Sequence, residues 1–500
     1  MHYNRQFVIL RQLADLPGFQ RMDLWNGLIL QYHPSLPVLC MPEKRLLLLG
    51  VAWQVMPGRK SPREEMEALV PGESGDIPMD AVERMEETWC GRYALISGSF
   101  VFMDATGKMA VYYSHEGICG NLSLLAAVCG LKASVYTPQS ASLNWMPGPR
   151  TQYPEIRQCL PSQIYDLATG KIESRQLLSP VDPALTERDA LIEQTVRCFD
   201  ESFRNMEREL KGWKLLAALT GGYDSRALLG LLKHSGVHFG TFTLGHDRIS
   251  EADKTLPPVL SERAGVEYTF VPSDCAPFQK EKEDEYIAFT SGLIWDADRL
   301  FYARGQYQEL VKQNGKCVFL RSAIWGTLAE RYAAAFDEYG PNDVFYEWFG
   351  IGDGTLEKES LEEYLAWMRS HPQTGLRPAD AFFWDQREGC WMGAIENGFD
   401  LMDGCQSLHP ANCRYLLTLL SRFPREERIT KAYEANIASF AFEGIRGIPY
   451  AVKEKKNKLQ RIKGKLQKGM DRLSKFGFKN TVKTYLRIFS KNRNVKKNRK

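Results

Sequence analysis

No two of the 11 cysteines stand as a Cys-x-x-Cys pair. Neither a zinc site nor a disulfide framework is therefore indicated, and a reduced compartment is expected. Long apolar runs are also missing. The longest, Leu46 to Trp53, is too short to cross a bilayer. The opening residues Met1-His2-Tyr3-Asn4-Arg5 contain no apolar secretion-signal core. A cytoplasmic protein is the expectation.

Charge is present in both signs but divided along the chain. Residues 451–500 hold 19 lysines and arginines against two acidic residues, a net of +17, whereas the rest carries a net of −14. Leu459, Ile462, Leu466, Met470 and Leu473 recur at three- and four-residue spacing among those lysines, the pattern of a basic amphipathic helix. Its first expected partner is the acidic body, and an anionic membrane surface is the second. Nucleic acid ranks last, because the basic excess is confined to the tail.

The most informative stretch is Leu215-Leu216-Ala217-Ala218-Leu219-Thr220-Gly221-Gly222-Tyr223-Asp224-Ser225-Arg226. The apolar run predicts a buried strand, and Leu228, Leu229, Leu231 and Leu232 predict the buried face of a helix. Between them, two glycines let the backbone turn sharply and approach a ligand. Free N–H groups at the helix start favour an anion there. Thr220 and Ser225 add hydroxyl donors, and Asp224 adds a carboxylate suited to Mg²⁺. No Gly-Lys-Ser/Thr follows, which excludes a Walker-type loop.

This Thr-Gly-Gly-x-Asp-Ser stretch resembles the pyrophosphate loop of the N-type ATP pyrophosphatases, which cleave ATP between the α and β phosphates. Upstream, Leu48-Leu49-Gly50, Gly91-Arg92-Tyr93-Ala94-Leu95, Asp104-x-x-Gly107, Tyr112-Tyr113 and Pro147-Gly148-x-x-Thr151 follow in order. That order resembles the glutaminase-type sandwich domain of the asparagine synthetases. The resemblance implies an α+β sandwich of the Ntn-hydrolase kind over residues 1–180. It implies an α/β parallel-sheet ATP pyrophosphatase domain over 181–450, with the basic tail from 451 to 500. A working glutaminase of that family needs a cysteine just after the initiator methionine. His2 stands there, so the expectation is an inactive, structural sandwich.

Strands are predicted at Lys214–Leu219, Gly240–Gly245, Val266–Val271 and Lys316–Leu320, and helices at 185–210 and at 250–264, the second interrupted at Pro257-Pro258. Alternating strands and helices predict a parallel sheet with its ligand at the carboxyl ends of the strands. By the resemblance, ATP meets Leu219, Thr220, Gly221, Gly222, Asp224, Ser225, Leu244, Arg321 and Ser322. Leu219 and Leu244 flank the adenine through backbone contacts, while Asp224 and Glu330 hold Mg²⁺. Glu330 stands in for carboxylates that the family carries just after the fourth strand and this chain lacks. Lys453, after Pro449, stabilises charge on the reacting carboxyl. The activity implied is an ATP-dependent, amide-forming ligase that adenylates a small-molecule or peptide carboxylate and passes it to ammonia or an amine. In this it resembles β-lactam synthetases and lasso-peptide cyclases. The altered Arg321 to Gly326 stretch keeps open a catalytically impaired scaffold for a polysaccharide or natural-product pathway.

Deleting the tail after Lys455 separates its two favoured partners. Packing on the acidic body predicts a lower melting temperature and newly exposed apolar surface. Lipid binding predicts unchanged stability and lost sedimentation with anionic vesicles, weakening with salt because exposed charge is screened over about 8 Å at physiological ionic strength. Unchanged stability with no vesicle binding contradicts both.

Overall fold

The computed structural model describes residues 3–72, 75–134, 143–247, 249–275, 280–290, 293 and 297–451. Residues up to Tyr450 form one compact unit. Met1, His2, Lys453 and the basic stripe lie outside the described residues. Among the described residues no helix is long and apolar enough to cross a membrane.

Two six-stranded antiparallel sheets make the amino-terminal half. Strands Phe7–Leu10, Ile29–Tyr32 and Gly117–Cys119 belong to the first sheet, and Leu46–Gln54, Trp89–Ser97 and Phe100–Met103 to the second. Side chains alternate across each strand. Phe7, Ile9, Leu30 and Ile118 thus meet Leu47, Leu49, Ala94, Ile96 and Val101 in a core between the sheets. The opposite faces are also apolar. Leu46, Leu48, Leu95 and Phe102 bury Met66 and Val82 of helices Pro62–Ala68 and Met79–Glu86. Val8, Leu10 and Cys119 bury Leu122 and Leu125 of helix Leu122–Val128. The result is a sandwich with helices on both outer faces. Gly91 is required at its centre, because a Cβ there would lie 2.1 Å from the Val51 carbonyl oxygen.

The turn at Asp104 to Gly107 does not close a hairpin onto Tyr112–Ser114. That strand pairs with Gly117–Cys119 and Arg157–Gln158 in the other sheet. Phe100–Met103 pairs with Trp89–Ser97 instead. Asp104 fixes the crossing. Its fully buried carboxylate accepts the N–H groups of Lys108 at 2.8 Å and Met109 at 2.7 Å, and the Asn412 amide at 2.8 Å.

The second half is a five-stranded, all-parallel sheet. Lys214–Ala218 is central, flanked by Phe239–Leu244 and then Tyr268–Val271 on one side. Cys317–Leu320 and then Cys405–Leu408 lie on the other. One face packs on helices Arg188–Glu209, Tyr223–Ser235, Arg414–Ser421 and Ala432–Ala441. The opposite face packs on Tyr307, Leu310, Phe399 and Met402. Helix Glu251–Ala264 runs through Pro257 and Pro258 rather than breaking there. The two prolines remove only two N–H donors, and Ser250 caps its start.

The halves meet along buried charge. The Asp400 carboxylate, fully buried, accepts Arg5 Nε at 2.9 Å, Gln6 Nε2 at 2.6 Å, and Arg92 Nη1 and Nη2 at 2.8 and 2.7 Å. Lys108 Nζ pairs with Glu388 at 3.0 Å, and Arg175 and Arg414 share Glu86. Glu388 belongs to a π-helical stretch, Phe383–Met392. The same stretch carries Asp385, which accepts the Ser162 hydroxyl at 2.8 Å and the Tyr364 hydroxyl at 3.0 Å.

Burial pushes the Asp385 carboxyl up to about 6. A raised folded pKa stabilises the fold below the unfolded carboxylate range, and that stability is lost as pH rises through the folded pKa. Wild type should therefore lose up to about 3 kcal/mol relative to Asp385→Asn between about pH 4 and pH 7. Denaturant unfolding of both proteins across that range checks it, and a pH-independent difference contradicts it.

Candidate functional site

The sheet winds outward from Lys214–Ala218 in both directions, so its topology reverses between that strand and Cys317–Leu320. A ligand crevice is expected beyond the carboxyl ends of this pair. Residues 219–225 leave one of these ends and Arg321 and Ser322 leave the other, because Ala217 pairs with Leu320.

The loop is closed on itself. Thr220 N–H donates to Ser225 Oγ at 3.1 Å, and the two hydroxyls lie 3.0 Å apart. Gly222 N–H donates to Thr220 Oγ1 at 3.2 Å. A Cβ on Gly222 would come within 3.3 Å of that oxygen, so a side chain would crowd the turn. Gly222 caps helix Tyr223–Ser235, whose first N–H groups have no intrahelical acceptor and point toward the loop. Gly221 N–H is held by Asp253 Oδ1 at 2.8 Å. Two hydroxyls and a helix start thus converge where an anionic ligand would gain most.

Leu219 is buried, its N–H bound to Phe242 O at 2.8 Å and its carbonyl accepting Thr243 Oγ1 at 2.7 Å. Only a second carbonyl lone pair remains there for a base. Leu244 ends the neighbouring strand, half-buried. Arg321 reaches sideways: Nη1 lies 2.5 Å from Glu396 Oε1, which also meets His409 Nε2 at 2.9 Å. Burial disfavours the Glu396 charge, but Arg321 and His409 outweigh it and hold the carboxyl well below its usual range. Burial likewise lowers the His409 imidazole. Ser322 begins the short 3₁₀ helix Ala323–Leu328.

Asp224 has close partners that no local pattern announces. Lys431 Nζ pairs with its Oδ1 and lies 3.5 Å from Glu434 Oε1. Burial pushes Asp224 up, but the Glu434 hydrogen bond and the Lys431 charge outweigh it and hold the carboxyl below its usual range. Burial and the neighbouring Asp224 push Glu434 well up. Lys431 has φ 64°, left-handed backbone between helices Arg425–Thr430 and Ala432–Ala441. A non-glycine residue there carries strain of about 1–3 kcal/mol. Tyr223 of the loop stacks on Tyr450 at 4.1 Å, and Arg226 covers the Tyr450 ring at 4.2 Å.

Glu330, expected beside Asp224, is held by an arginine. Both its oxygens are taken by Arg425, at 2.6 and 2.7 Å, and its N–H is bound to Asp380 at 2.9 Å. Among the described residues no group of three or more His, Cys, Asp or Glu side chains is placed to hold a metal. Asp224 carries the Lys431 ammonium and Glu330 the Arg425 guanidinium, so each carboxylate is already paired with a cation. Lys431 carries no signal in the chain that would have pointed to the loop. Asp253 carries a weak one, since Ser250-x-x-Asp253 reads as a helix start.

No family model matches the chain, and no curated protein matches it. Among solved structures it is similar to an NMN synthetase from Francisella tularensis, at 14% identity over 54% of this chain and 99% of that one, with a TM-score of 0.22. It is similar to a glutamine-dependent NAD+ synthetase from Acinetobacter baumannii in complex with ADP, at 13% identity over 45% and 39%, with a TM-score of 0.22. It is also similar to an NH3-dependent NAD synthetase from Campylobacter jejuni, at 11% identity over 41% and 96%, with a TM-score of 0.23. Likenesses this remote carry no argument about this chain's activity.

Glu330→Gln removes a charge that Arg425 holds. It should lower unfolding stability by about 1–3 kcal/mol and leave ATP binding unchanged. Denaturant unfolding and calorimetric titration check both halves. Unchanged stability with lost binding would return Glu330 to the site.

Proposed function

We propose that this protein is an asparagine-synthetase-like, AMP-forming carbon–nitrogen ligase whose Thr220–Ser225 loop holds the phosphates of ATP. The observation that carries the reading is the Thr220–Ser225 closure at the switch point of a parallel sheet. In the proposed reaction an oxygen of the substrate carboxylate attacks the α-phosphorus. The bond from α-phosphorus to the bridging oxygen breaks, and pyrophosphate leaves with its electron pair. An amine or ammonia nitrogen then attacks the acyl carbon. AMP departs with the carbon–oxygen electron pair, and the nitrogen loses its proton to solvent.

The loop's part is to position the phosphate chain and meet its charge with fixed donors, which needs no reorganisation during the reaction. Thr220 and Ser225 offer hydroxyls, and the start of helix Tyr223–Ser235 offers N–H groups. Arg321, fixed by Glu396, offers a guanidinium beside the crevice. Leu219 and Leu244 flank the base, and Lys453 serves the reacting carboxyl. No step is assigned to a protein-held Mg²⁺.

The sandwich over residues 1–180 is proposed as a structural partner with no glutaminase activity. Its thiols support this. Burial raises Cys40, Cys90, Cys119, Cys129 and Cys159 of that half above the ordinary thiol pKa. A nucleophilic cysteine requires the opposite shift. A scaffold without catalysis is the second reading. The ion-paired state of Glu330 favours it, and the closed Thr220–Ser225 loop favours the ligase.

ATP–pyrophosphate exchange against a panel of carboxylic acids tests the reading. Wild type should exchange with at least one acid. Ser225→Ala, which opens the loop, should be slower by about 10²–10³, as for loss of one preorganised donor. No exchange with any acid would favour the scaffold.

A further inference from the structure

Resting on the nucleotide reading above, we infer that Tyr450 is a positioning residue for the phosphate loop. Its ring clamps Tyr223 and Arg226, so the loop keeps its ligand-ready shape only while residues 448–450 are docked on it.

Three observations carry this. The first is the stack. Tyr223 stands between Gly222 and Asp224 and opens helix Tyr223–Ser235. Its ring lies on that of Tyr450, with centroids 4.1 Å apart and planes within 5°. The two glycines before Tyr223 give the turn no side chains of its own to hold it, so a ring fixed from outside restricts it most at this point. The Tyr450 hydroxyl is buried and has no hydrogen-bond partner among the described residues. The ring, not the hydroxyl, therefore makes the contact.

The second observation is Arg226, three residues further along the same helix and fully buried. A buried guanidinium must have its charge met. The Ile448 carbonyl accepts Nη1 at 2.9 Å and the Pro449 carbonyl accepts Nη2 at 2.5 Å. The Tyr450 ring lies 4.2 Å from the guanidinium carbon. Burial lowers the Arg226 pKa, and Tyr450 and Tyr223 oppose that shift. Undocking residues 448–450 would strand this charge beside the loop. The third observation is backbone. Just before the docked residues the chain bends at Gly447, with φ 77°, a conformation that costs glycine little. Ile448 then joins the core that holds Leu228 and Leu229 of the loop's helix.

Tyr450 acts through Tyr223 rather than on the ligand. Fixing Tyr223 fixes the direction of the N–H groups at the helix start and the closure of Thr220 on Ser225. Donors ordered in advance lose little freedom when phosphates arrive.

Hydrogen–deuterium exchange of the ligand-free, full-length protein reads the clamp without assuming a ligand, and calorimetric titration with ATP reads its effect on binding. Tyr450→Leu stays apolar but removes the ring. It should speed exchange at the amides of Thr220, Gly221 and Gly222, which are bonded in the closed loop. It should weaken ATP binding about 3- to 30-fold, the worth of one stacked pair with a cation–π contact. Tyr450→Phe keeps the ring and should restore both. Tyr223→Leu breaks the stack from the other side and leaves every partner of Arg226 in place, so it keeps the test on folded protein should Tyr450→Leu unfold. Both leucines together should cost no more than Tyr450→Leu alone, because the two rings share one interaction. Unchanged loop exchange in Tyr450→Leu, ATP binding as tight as wild type in both leucine variants, or an equal loss in Tyr450→Phe overturns the inference. ATP binding by wild type in that case leaves the nucleotide reading standing. No ATP binding by wild type overturns both.

Discussion

The fold depends on charges buried between its two halves, and Asp400 is the centre of them. A carboxylate with no solvent exposure is stable only if every lone pair is met. Arg5, Gln6 and Arg92 meet it, and all three come from the sandwich. Asp400 itself sits in the 3₁₀ turn Phe399–Leu401, just before the last parallel strand. The pairing therefore fixes the edge of the parallel sheet against the sandwich. Removing one partner would strand a buried charge, at a cost of about 3–5 kcal/mol. Lys108 with Glu388, and Glu86 with Arg175 and Arg414, repeat the same device along the seam. Such pairs add less to stability than apolar packing of the same volume would, but they admit one alignment only.

That alignment sets the candidate site. Asn412, which donates to Asp104 of the sandwich, follows the strand Cys405–Leu408, and His409 between them meets Glu396. Glu396 in turn holds Arg321 at the switch point. The sandwich is thus linked to the crevice through a chain of buried contacts. On the other flank, helix Ala432–Ala441 packs on helix Tyr223–Ser235 and brings Lys431 to Asp224. The loop itself is held by Asp253 at Gly221 and by Lys431 at Asp224.

Much of the parallel sheet is legible in the chain. Leu215–Leu219 and Cys317–Leu320 are apolar runs bounded by turn residues, the mark of strands buried on both faces, and Phe239–Leu244 is marked by its phenylalanines and β-branched threonines. The glycine turn is legible too, because Gly-Gly between such a strand and a helix has few other uses. The fifth strand, Cys405–Leu408, is not. Four residues with a glutamine and a serine show no period. The crossing at Asp104 escapes a local reading because Asp-x-x-Gly is a turn in either topology, and only the long-range contact with Asn412 decides between them. Glu330 reads as a shifted metal ligand only while its partner Arg425, 95 residues away, is out of view. Lys431 is invisible for the same reason: an ion pair between distant helices leaves no local pattern, and left-handed backbone at lysine runs against propensity.

Everything proposed for catalysis requires the Thr220–Ser225 loop to be a nucleotide phosphate site. Hydrogen–deuterium exchange of the full-length protein with and without ATP is the sharpest check, because it locates the ligand without assuming a substrate acid. ATP should slow exchange in the peptides covering Leu219–Arg226 and Lys431–Glu434, and leave the sandwich strands unchanged. Saturating ATP with no protection in either segment, or with protection confined to the sandwich, would contradict that assignment.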